Sequence, residues 1–140
     1  MRWMNDIPST VGRPRDYFEL RGITLDCRGT LEIAATSNWG WDVTVYTQSH
    51  HIREGQFGGA VDRPVIVKAL AWIGSGALLY NCIIGEGAVV AVGTVVRTCE
   101  VKPHTMVAGN PAKVIALWTL GEFNSYGFWN YVEPQWRVLG

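Results

Sequence analysis

Two adjacent histidines, His50 and His51, are the side chains in this 140-residue chain that are best suited to proton transfer. Neutral imidazole accepts a proton near neutral pH, so such a ring can remove the proton of a hydroxyl group as the hydroxyl attacks a carbonyl carbon. Both histidines begin residues 50–64, HHIREGQFGGAVDRP, which are rich in glycine and charge and have no regular hydrophobic period. We interpret this segment as a loop that leaves a repetitive scaffold, in which a solvated histidine is the alternative to a catalytic one.

The scaffold is indicated by an aliphatic residue about every six positions, often with a small residue at the fifth position of the block. Six residues match neither a helical face nor a simple strand, so the pattern predicts short strands and corners that stack into a solenoid. With three such units per coil, the aliphatic side chains fill a triangular prism. One residue is missing between Leu79 and Ile84, and we expect an irregular corner there. The frame is formed by Ile33, Trp39, Val45, Val67, Ile73, Leu79, Ile84, Val90 and Val96, with Ala71, Ala77, Ala88 and Thr94 as small fifth residues.

The chain divides into three predicted parts. Residues 1–22 lack the period and are expected to form an N-terminal arm or cap, residues 23–115 form the solenoid, and residues 116–140 form a tail. We expect the tail to pack on the solenoid or on a neighbouring subunit, with sugar stacking as the alternative, because it holds many aromatic rings. These rings are Trp118, Phe123, Tyr126, Phe128, Trp129, Tyr131 and Trp136.

Composition excludes several classes of function. Twelve basic and twelve acidic residues give no electrostatic case for nucleic-acid binding, and no transmembrane run or secretory signal is visible. The three cysteines, Cys27, Cys82 and Cys99, have neither zinc-site nor disulfide spacing. We therefore expect a cytoplasmic protein whose cysteines fill small sites in the solenoid wall.

Four segments of residues 23–116 together resemble the hexapeptide-repeat O-acetyltransferases of the maltose, galactoside and exopolysaccharide types. The resemblance implies a left-handed parallel β-helix, a handedness that the period alone does not predict. It also implies a homotrimer that binds acetyl-coenzyme A between adjacent subunits and needs no metal for catalysis. The expected reaction is direct transfer of the acetyl group to a saccharide hydroxyl in a ternary complex, and surface polysaccharide biosynthesis is the expected setting. The segments are VTVYTQSHHI, WIGSGAL, IIGEGAVV and VAGNPAKVI.

The same resemblance assigns the catalytic base to His50. The family most often has an acidic residue directly after this histidine, where this chain has His51. Glu54, Asp42 or a backbone carbonyl group could then orient the His50 ring. His51 is the second candidate for the base.

Five further residues are candidates for binding acetyl-coenzyme A. By resemblance, Ser75 lies at the thioester, Val92 and Gly93 line the pantetheine arm, and Arg97 and Lys113 reach the phosphates. Ser75 could instead be a corner serine bonded to its own backbone, and each cation could be solvated surface. A family position that is often basic is Ala116 here.

Acceptor binding and two other classes of protein remain open. A sugar site would use carboxylate, amide and indole groups, and of the two candidate indoles Trp41 suits an acceptor better, since Trp39 lies in the inward frame. A non-catalytic trimeric β-helix scaffold would have no affinity for coenzyme A. A γ-carbonic-anhydrase-like zinc protein would need three converging histidines, whereas this chain has the adjacent pair and His104. The acceptor candidates are Asp26, Asn38, Trp39, Trp41 and Asp42.

Overall fold

The computed structural model describes residues 2–4, 21–117 and 137–138, and in this part of the chain it contains strands and no helix. The strands are β1 (Arg2–Met4), β2 (Thr24–Leu25), β3 (Leu31–Ala34), β4 (Asn38–Trp39), β5 (Thr44–Tyr46), β6 (Gln48–Arg53), β7 (Gln56–Asp62), β8 (Val65–Val67), β9 (Trp72–Ile73), β10 (Leu78–Ile84), β11 (Val89–Val90), β12 (Val95–Val101), β13 (Thr105–Ala108), β14 (Lys113–Leu117) and β15 (Arg137–Val138). Within the described ranges no helix is long and apolar enough to cross a membrane.

Parallel strand pairing builds a prism with three faces. The first face stacks β2, β5 and the first halves of β10 and β12, in which Thr24 pairs with Thr44 and Leu78 pairs with both Thr44 and Val95. The second face stacks β1, β3, β8 and the second halves of β10 and β12. The third face stacks β4, β9, β11 and β13. Following residues 24–108 from face to face gives four coils.

The interior of the prism holds the aliphatic residues that the sixfold pattern selects. On the first face Val45, Leu79 and Val96 are in register, and each side chain is 0% exposed. The small residues at the fifth positions, from Ala71 to Thr94, are buried as well. Full burial of one aliphatic side chain contributes about 1.5–3 kcal/mol. The solenoid frame predicted from the sequence is therefore confirmed.

The irregular corner expected between Leu79 and Ile84 is present at Asn81. Asn81 has a φ of 48°, and Thr98 has a φ of 49° at the equivalent place one coil later. A single residue in this left-handed conformation turns the chain from the first face to the second, so β10 and β12 each continue around the corner. Asparagine tolerates this conformation better than most residues with a side chain.

The segment after β5 leaves the prism, as expected for residues 50–64, and it forms an antiparallel hairpin. β6 pairs with β7, and the excursion begins at Gln48. Glu54 and Gly55 form the two-residue turn with φ angles of 51° and 76°, the combination that suits the twist of a tight hairpin. Residues 50–60 are all exposed, so neither side of the hairpin imposes the hydrophobic alternation by which strands are recognised.

The parallel stacking ends after β13. Gly109 has a φ of 98°, and after it β14 runs antiparallel to β13 and pairs in turn with β15. The aromatic residues of the tail from Trp118 to Trp136, like residues 5–20 of the N-terminal arm, lie outside the described residues.

The expectation that all three cysteines fill sites in the wall is wrong for two of them. Cys82 is buried, and burial raises the pKa of its thiol to about 12. Cys27 and Cys99 are exposed, the first at a corner and the second in the last parallel coil. Cys99 pairs in register with Cys82, but within the described residues no further parallel coil covers it.

Candidate functional site

The hairpin formed by β6 and β7 carries His50 away from the prism, at the edge between the first and second faces. His50 is exposed and pairs with Ala60 across the hairpin. Its Nδ1 lies 3.2 Å from the carbonyl oxygen of Gly58. Because a carbonyl oxygen only accepts hydrogen bonds, Nδ1 must carry the proton in this contact. In neutral His50, Nε2 is then the unprotonated nitrogen.

The His50 ring contacts an aromatic ring and a backbone carbonyl, and the carboxylates considered from the sequence lie elsewhere. The ring of Phe57 meets the His50 ring edge to face, with centroids 6.0 Å apart. His51 lies where the pairing register of the hairpin shifts, and Glu54 forms the turn at its tip. Asp42 belongs to a different corner of the prism, with a φ of 57°. Of the orienting groups considered from the sequence, the one found at Nδ1 is a backbone carbonyl.

A second edge, between the third and first faces, holds Ser75. Its Oγ accepts a hydrogen bond of 3.0 Å from the backbone N–H of Trp41, and its carbonyl oxygen accepts one of 2.9 Å from Gly93. Since a hydroxyl group can donate while it accepts, the Ser75 hydrogen can still be donated to another acceptor. The edge thus offers a hydroxyl group at a corner that is hydrogen-bonded to the neighbouring corners on both sides.

Glycines allow the stacked corners of this second edge to approach closely. A Cβ atom at Gly74 would lie 2.7 Å from both the Val90 carbonyl oxygen and the Val92 nitrogen, and one at Gly40 would lie 2.5 Å from Ser75 Oγ. Gly93 has a φ of 70° and no heavy atom within 4 Å of its missing Cβ. The inner part of the edge is therefore tightly packed, and the surface at Gly93 is open. Val92 beside it is 77% exposed.

The two candidate cations lie apart from each other. Arg97 is exposed on the outer side of the first face, in register with Tyr80 and Tyr46. Lys113 is exposed at the start of β14 and pairs with Ala108. Within one chain, the structure groups Ser75, Val92 and Gly93 on one edge of the first face, whereas His50 lies on the opposite edge of that face.

The acceptor candidates from the sequence divide into buried and exposed residues. Trp39 belongs to the core, at 3% exposure, and its Nε1 donates to Ser37 Oγ. Trp41 is 58% exposed next to Ser75. The Asp26 carboxylate is engaged, since Arg28 Nε donates to it at 2.8 Å and the Thr47 backbone at 3.1 Å. The hydrogen bonds from the Arg28 side chain are the main reason that the pKa of Asp26 lies below its ordinary value.

Metal ligands are not assembled in the described part of the chain. Among residues 21–117, no three or more His, Cys, Asp or Glu side chains are grouped so that they could hold a metal ion. His104 lies at the corner between the second and third faces, away from the hairpin that carries His50 and His51.

Comparison with known proteins gives the relationship of this fold. No protein-family profile matches the sequence. The serine acetyltransferase of Escherichia coli (strain K12) is 34% identical over 96 residues, which cover 68% of this chain and 34% of the relative. The maltose O-acetyltransferase of Clostridium difficile 630 superposes with a TM-score of 0.61 at 29% identity, over 66% of this chain and 51% of that one. The chain is similar to hexapeptide-repeat acetyltransferases.

A third protein extends the comparison. VCA0836 of Vibrio cholerae, a hexapeptide-repeat-containing acetyltransferase, superposes with a TM-score of 0.55 at 26% identity, over 62% of this chain and 51% of that one. Its complex with acetyl-coenzyme A superposes with a TM-score of 0.50, over 60% and 47% of the two chains. The left-handed parallel β-helix expected from the sequence is confirmed. The chain spans about a third of the length of the curated relatives it matches.

Sequence reasoning missed the residues that attach the hairpin to the prism. Thr47 at the start of the hairpin is fully buried, and Asp62 at its end bonds to Thr30 of the first coil. Thr30 and Asp62 are 32 positions apart and belong to no hydrophobic period. The local signal is that Asp62 stands just before Arg63-Pro64, which end the segment without a hydrophobic period.

Proposed function

We propose that this protein is an acetyl-coenzyme A-dependent O-acetyltransferase that transfers the acetyl group directly to a saccharide hydroxyl in a ternary complex. The observation that carries the proposal is the contact between His50 Nδ1 and the Gly58 carbonyl oxygen, which leaves Nε2 of an exposed imidazole as a proton acceptor. Similarity to acetyltransferases over the same coils supports the choice of reaction.

His50 acts as the general base in this proposal. Nε2 of His50 removes the proton of the acceptor hydroxyl as its oxygen bonds to the thioester carbonyl carbon. The carbon–sulfur bond then breaks, and the His50 imidazolium returns the proton to the departing sulfur. The Gly58 carbonyl keeps the ring in the required tautomer and stabilises the positive charge that His50 gains.

Ser75 stabilises the negative charge that grows on the thioester carbonyl oxygen. Its hydroxyl hydrogen is not used by the bond from Trp41, so it can be donated to that oxygen. The open surface at Val92 and Gly93 accommodates the pantetheine arm. Arg97 and Lys113 interact with the phosphates, and their exposed side chains are free to adjust to them.

We further propose that the active site is completed between subunits of a homotrimer. His50 and Ser75 lie on opposite edges of the first face, so a second subunit can bring an edge of each kind together. The exposure of the hairpin supports this assembly, since Ile52 and Phe57 are 68% and 83% exposed and face each other across β6 and β7. Large apolar side chains of this kind commonly mark contact surfaces.

The acceptor is proposed to be a saccharide. The maltose O-acetyltransferase among the structural neighbours supports this choice, and the exposed indole of Trp41 beside Ser75 provides an apolar surface on which a sugar ring can stack. The serine acetyltransferase of E. coli supports an amino-acid hydroxyl as the second candidate. The proposal also divides the chain into an arm (residues 1–22), an acyltransferase domain (residues 23–115) and a tail (residues 116–140). It includes a cytoplasmic location.

An acceptor screen tests the reaction. The full chain is incubated with acetyl-coenzyme A and, in turn, with mono- and oligosaccharides and L-serine, while release of the coenzyme A thiol is followed with a thiol reagent. We expect acceptor-dependent release with a saccharide, at a rate well above that in buffer. A folded trimer that neither binds acetyl-coenzyme A nor cleaves it with any acceptor would favour the non-catalytic scaffold.

A further inference from the structure

We propose that the corner of the first coil clamps both ends of the hairpin that carries His50, so that Gly29, Thr30, Thr47 and Asp62 are positioning residues for the base. This stem clamp, as we call these four residues, rests on the proposed role of His50. It acts on the reaction only through the placement of that ring.

The outgoing end of the hairpin is held through Thr47. Its side chain is 0% exposed, and Oγ1 donates to the Asp26 carbonyl oxygen at 2.8 Å while it accepts from the Gly29 N–H at 2.9 Å. The Thr47 carbonyl oxygen also accepts a bond of 2.8 Å from Arg63, which begins the return to the second face. Buried Thr47 therefore bonds the start of the hairpin both to the first coil and to the returning end of the hairpin.

The returning end of the hairpin is held through Asp62. Its Oδ1 accepts a bond of 2.8 Å from the Thr30 backbone N–H, and Oδ2 accepts a bond from the Thr30 hydroxyl group. Two bonds from one residue to both oxygens of a carboxylate fix the direction of the Asp62 side chain. These bonds are also the main cause of a pKa of Asp62 below its ordinary value.

Gly29 fits between the two ends with no room for a side chain. A Cβ atom at this position would lie 2.2 Å from the Thr47 carbonyl oxygen and 2.6 Å from Asp62 Oδ1. The first of these is a backbone atom of the outgoing end, and the second belongs to the carboxylate that holds the returning end. A substitution at Gly29 would therefore push on both ends of the hairpin at once.

The position of His50 depends on this clamp because the hairpin has no core of its own. Residues 50–60 of the ribbon are all exposed, and a two-stranded ribbon by itself is marginally stable. His50 pairs with Ala60 only two rungs beyond the pair formed by Gln48 and Asp62. A small rotation of the stem would carry the His50 ring with it, and a misplacement of about 1 Å can cost about 100-fold in rate.

Variants of Asp62 and Thr30 test the clamp with matched partners. Asp62→Ala removes both bonds, whereas Asp62→Asn can still accept from the Thr30 N–H and donate to its rotated hydroxyl group. Thr30→Val and Thr30→Ser form a second pair that differs in the hydroxyl group. Glu86→Ala, an exposed carboxylate at another corner, is the control for loss of charge.

We expect Asp62→Ala and Thr30→Val to lower kcat about 10- to 100-fold with little change in KM for acetyl-coenzyme A, while Asp62→Asn and Thr30→Ser restore most of the rate. Amide hydrogen exchange should rise in residues 48–62 and stay unchanged in β10 and β12. In a His50→Ala background, Asp62→Ala should lower the remaining rate no further. Unchanged exchange in the hairpin, or an equal rise throughout the prism, would overturn the clamp.

Hydrogen exchange separates the clamp from the proposed function. If the unmodified chain transfers no acetyl group but Asp62→Ala still loosens only the hairpin, the clamp stands and the role of His50 fails. If the unmodified chain is active and Asp62→Ala keeps full activity with a protected hairpin, the function stands and the clamp fails.

Discussion

The carbonyl oxygen of Gly58 lies 3.2 Å from Nδ1 of His50, and this contact defines which ring nitrogen can act as a base. Gly58 supplies it from the opposite strand of the hairpin, so the ring is oriented without a carboxylate. The residue after His50 is His51 and not an acidic residue, and the Gly58 carbonyl can supply the orientation that a carboxylate would otherwise give.

The most direct prediction concerns the base itself. His50→Ala should lower kcat about 10²- to 10⁴-fold, the range typical of general-base catalysis, because the proposed mechanism assigns removal of the hydroxyl proton to His50. Acetyl-coenzyme A affinity and oligomer mass should stay as they are. Steady-state kinetics and calorimetry on the variant check this, and His51→Ala serves as the matched control that stays active. Normal turnover by His50→Ala would remove His50 from the mechanism.

Ser75 should affect the rate more than the binding of the donor. Loss of its hydroxyl group in Ser75→Ala removes the donor to the developing oxyanion, and we expect kcat to fall about 10- to 100-fold. Ser37→Ala is the matched control, since Ser37 is also a corner serine whose Oγ holds its neighbours. If both variants lost the same modest activity in proportion to their stability, Ser75 would be an ordinary corner serine.

Substitution of Lys113 or Arg97 should affect acetyl donors that carry nucleotide phosphates and spare those that do not. Lys113→Ala and Arg97→Ala should weaken binding of acetyl-coenzyme A about 3- to 10-fold each, as expected for exposed charge contacts. Reaction with acetyl-pantetheine, which has no nucleotide phosphates, should be unaffected. Lys68→Ala, at an exposed position on a different corner, is the control. Equal losses with both donors would contradict a phosphate contact.

The close approach of the coils at Gly74 makes a prediction about stability. A Cβ atom there would lie 2.7 Å from backbone atoms of the next coil, so Gly74→Ala should reduce the free energy of unfolding by about 1–3 kcal/mol. Gly59→Ala provides the comparison, because no heavy atom lies within 4 Å of its missing Cβ. Denaturant unfolding of both variants measures the difference, and equal midpoints would show that the corner can relax.

Acid should loosen the hairpin before it unfolds the prism. The pKa values of Asp26 and Asp62 are lowered, mainly by hydrogen bonds from Arg28 and Thr30 respectively, so these carboxylates stabilise the folded chain in full above the ordinary carboxyl pKa of about 4, and this stabilisation is lost as the pH falls through the lowered pKa values. Amide exchange in residues 48–62, corrected for intrinsic rates, should therefore rise below about pH 4 while β10 stays protected. Protection that persists at low pH would argue against a role for these carboxylates.

The prism could be predicted because burial inside it requires an aliphatic residue about every six positions of the sequence. Val45, Leu79 and Val96 are fully buried inside the prism, so an aliphatic residue is required at each position, and the sixfold spacing of such residues indicates the fold. The hairpin carries no such record, since both of its sides are exposed. Likewise, the partner of His50 is a backbone oxygen, and because every residue type supplies one, the sequence does not reveal this contact. The bonds between Thr30 and Asp62 join distant positions through polar groups that are common elsewhere on a surface.

The central claim is that this chain uses acetyl-coenzyme A, and calorimetric titration of the folded full chain with that compound tests it most directly because no acceptor has to be known. We predict saturable binding with micromolar affinity and a stoichiometry equal to the number of chains. The same titration of His50→Ala should give the same affinity. A folded protein that shows no binding up to millimolar acetyl-coenzyme A would contradict the account.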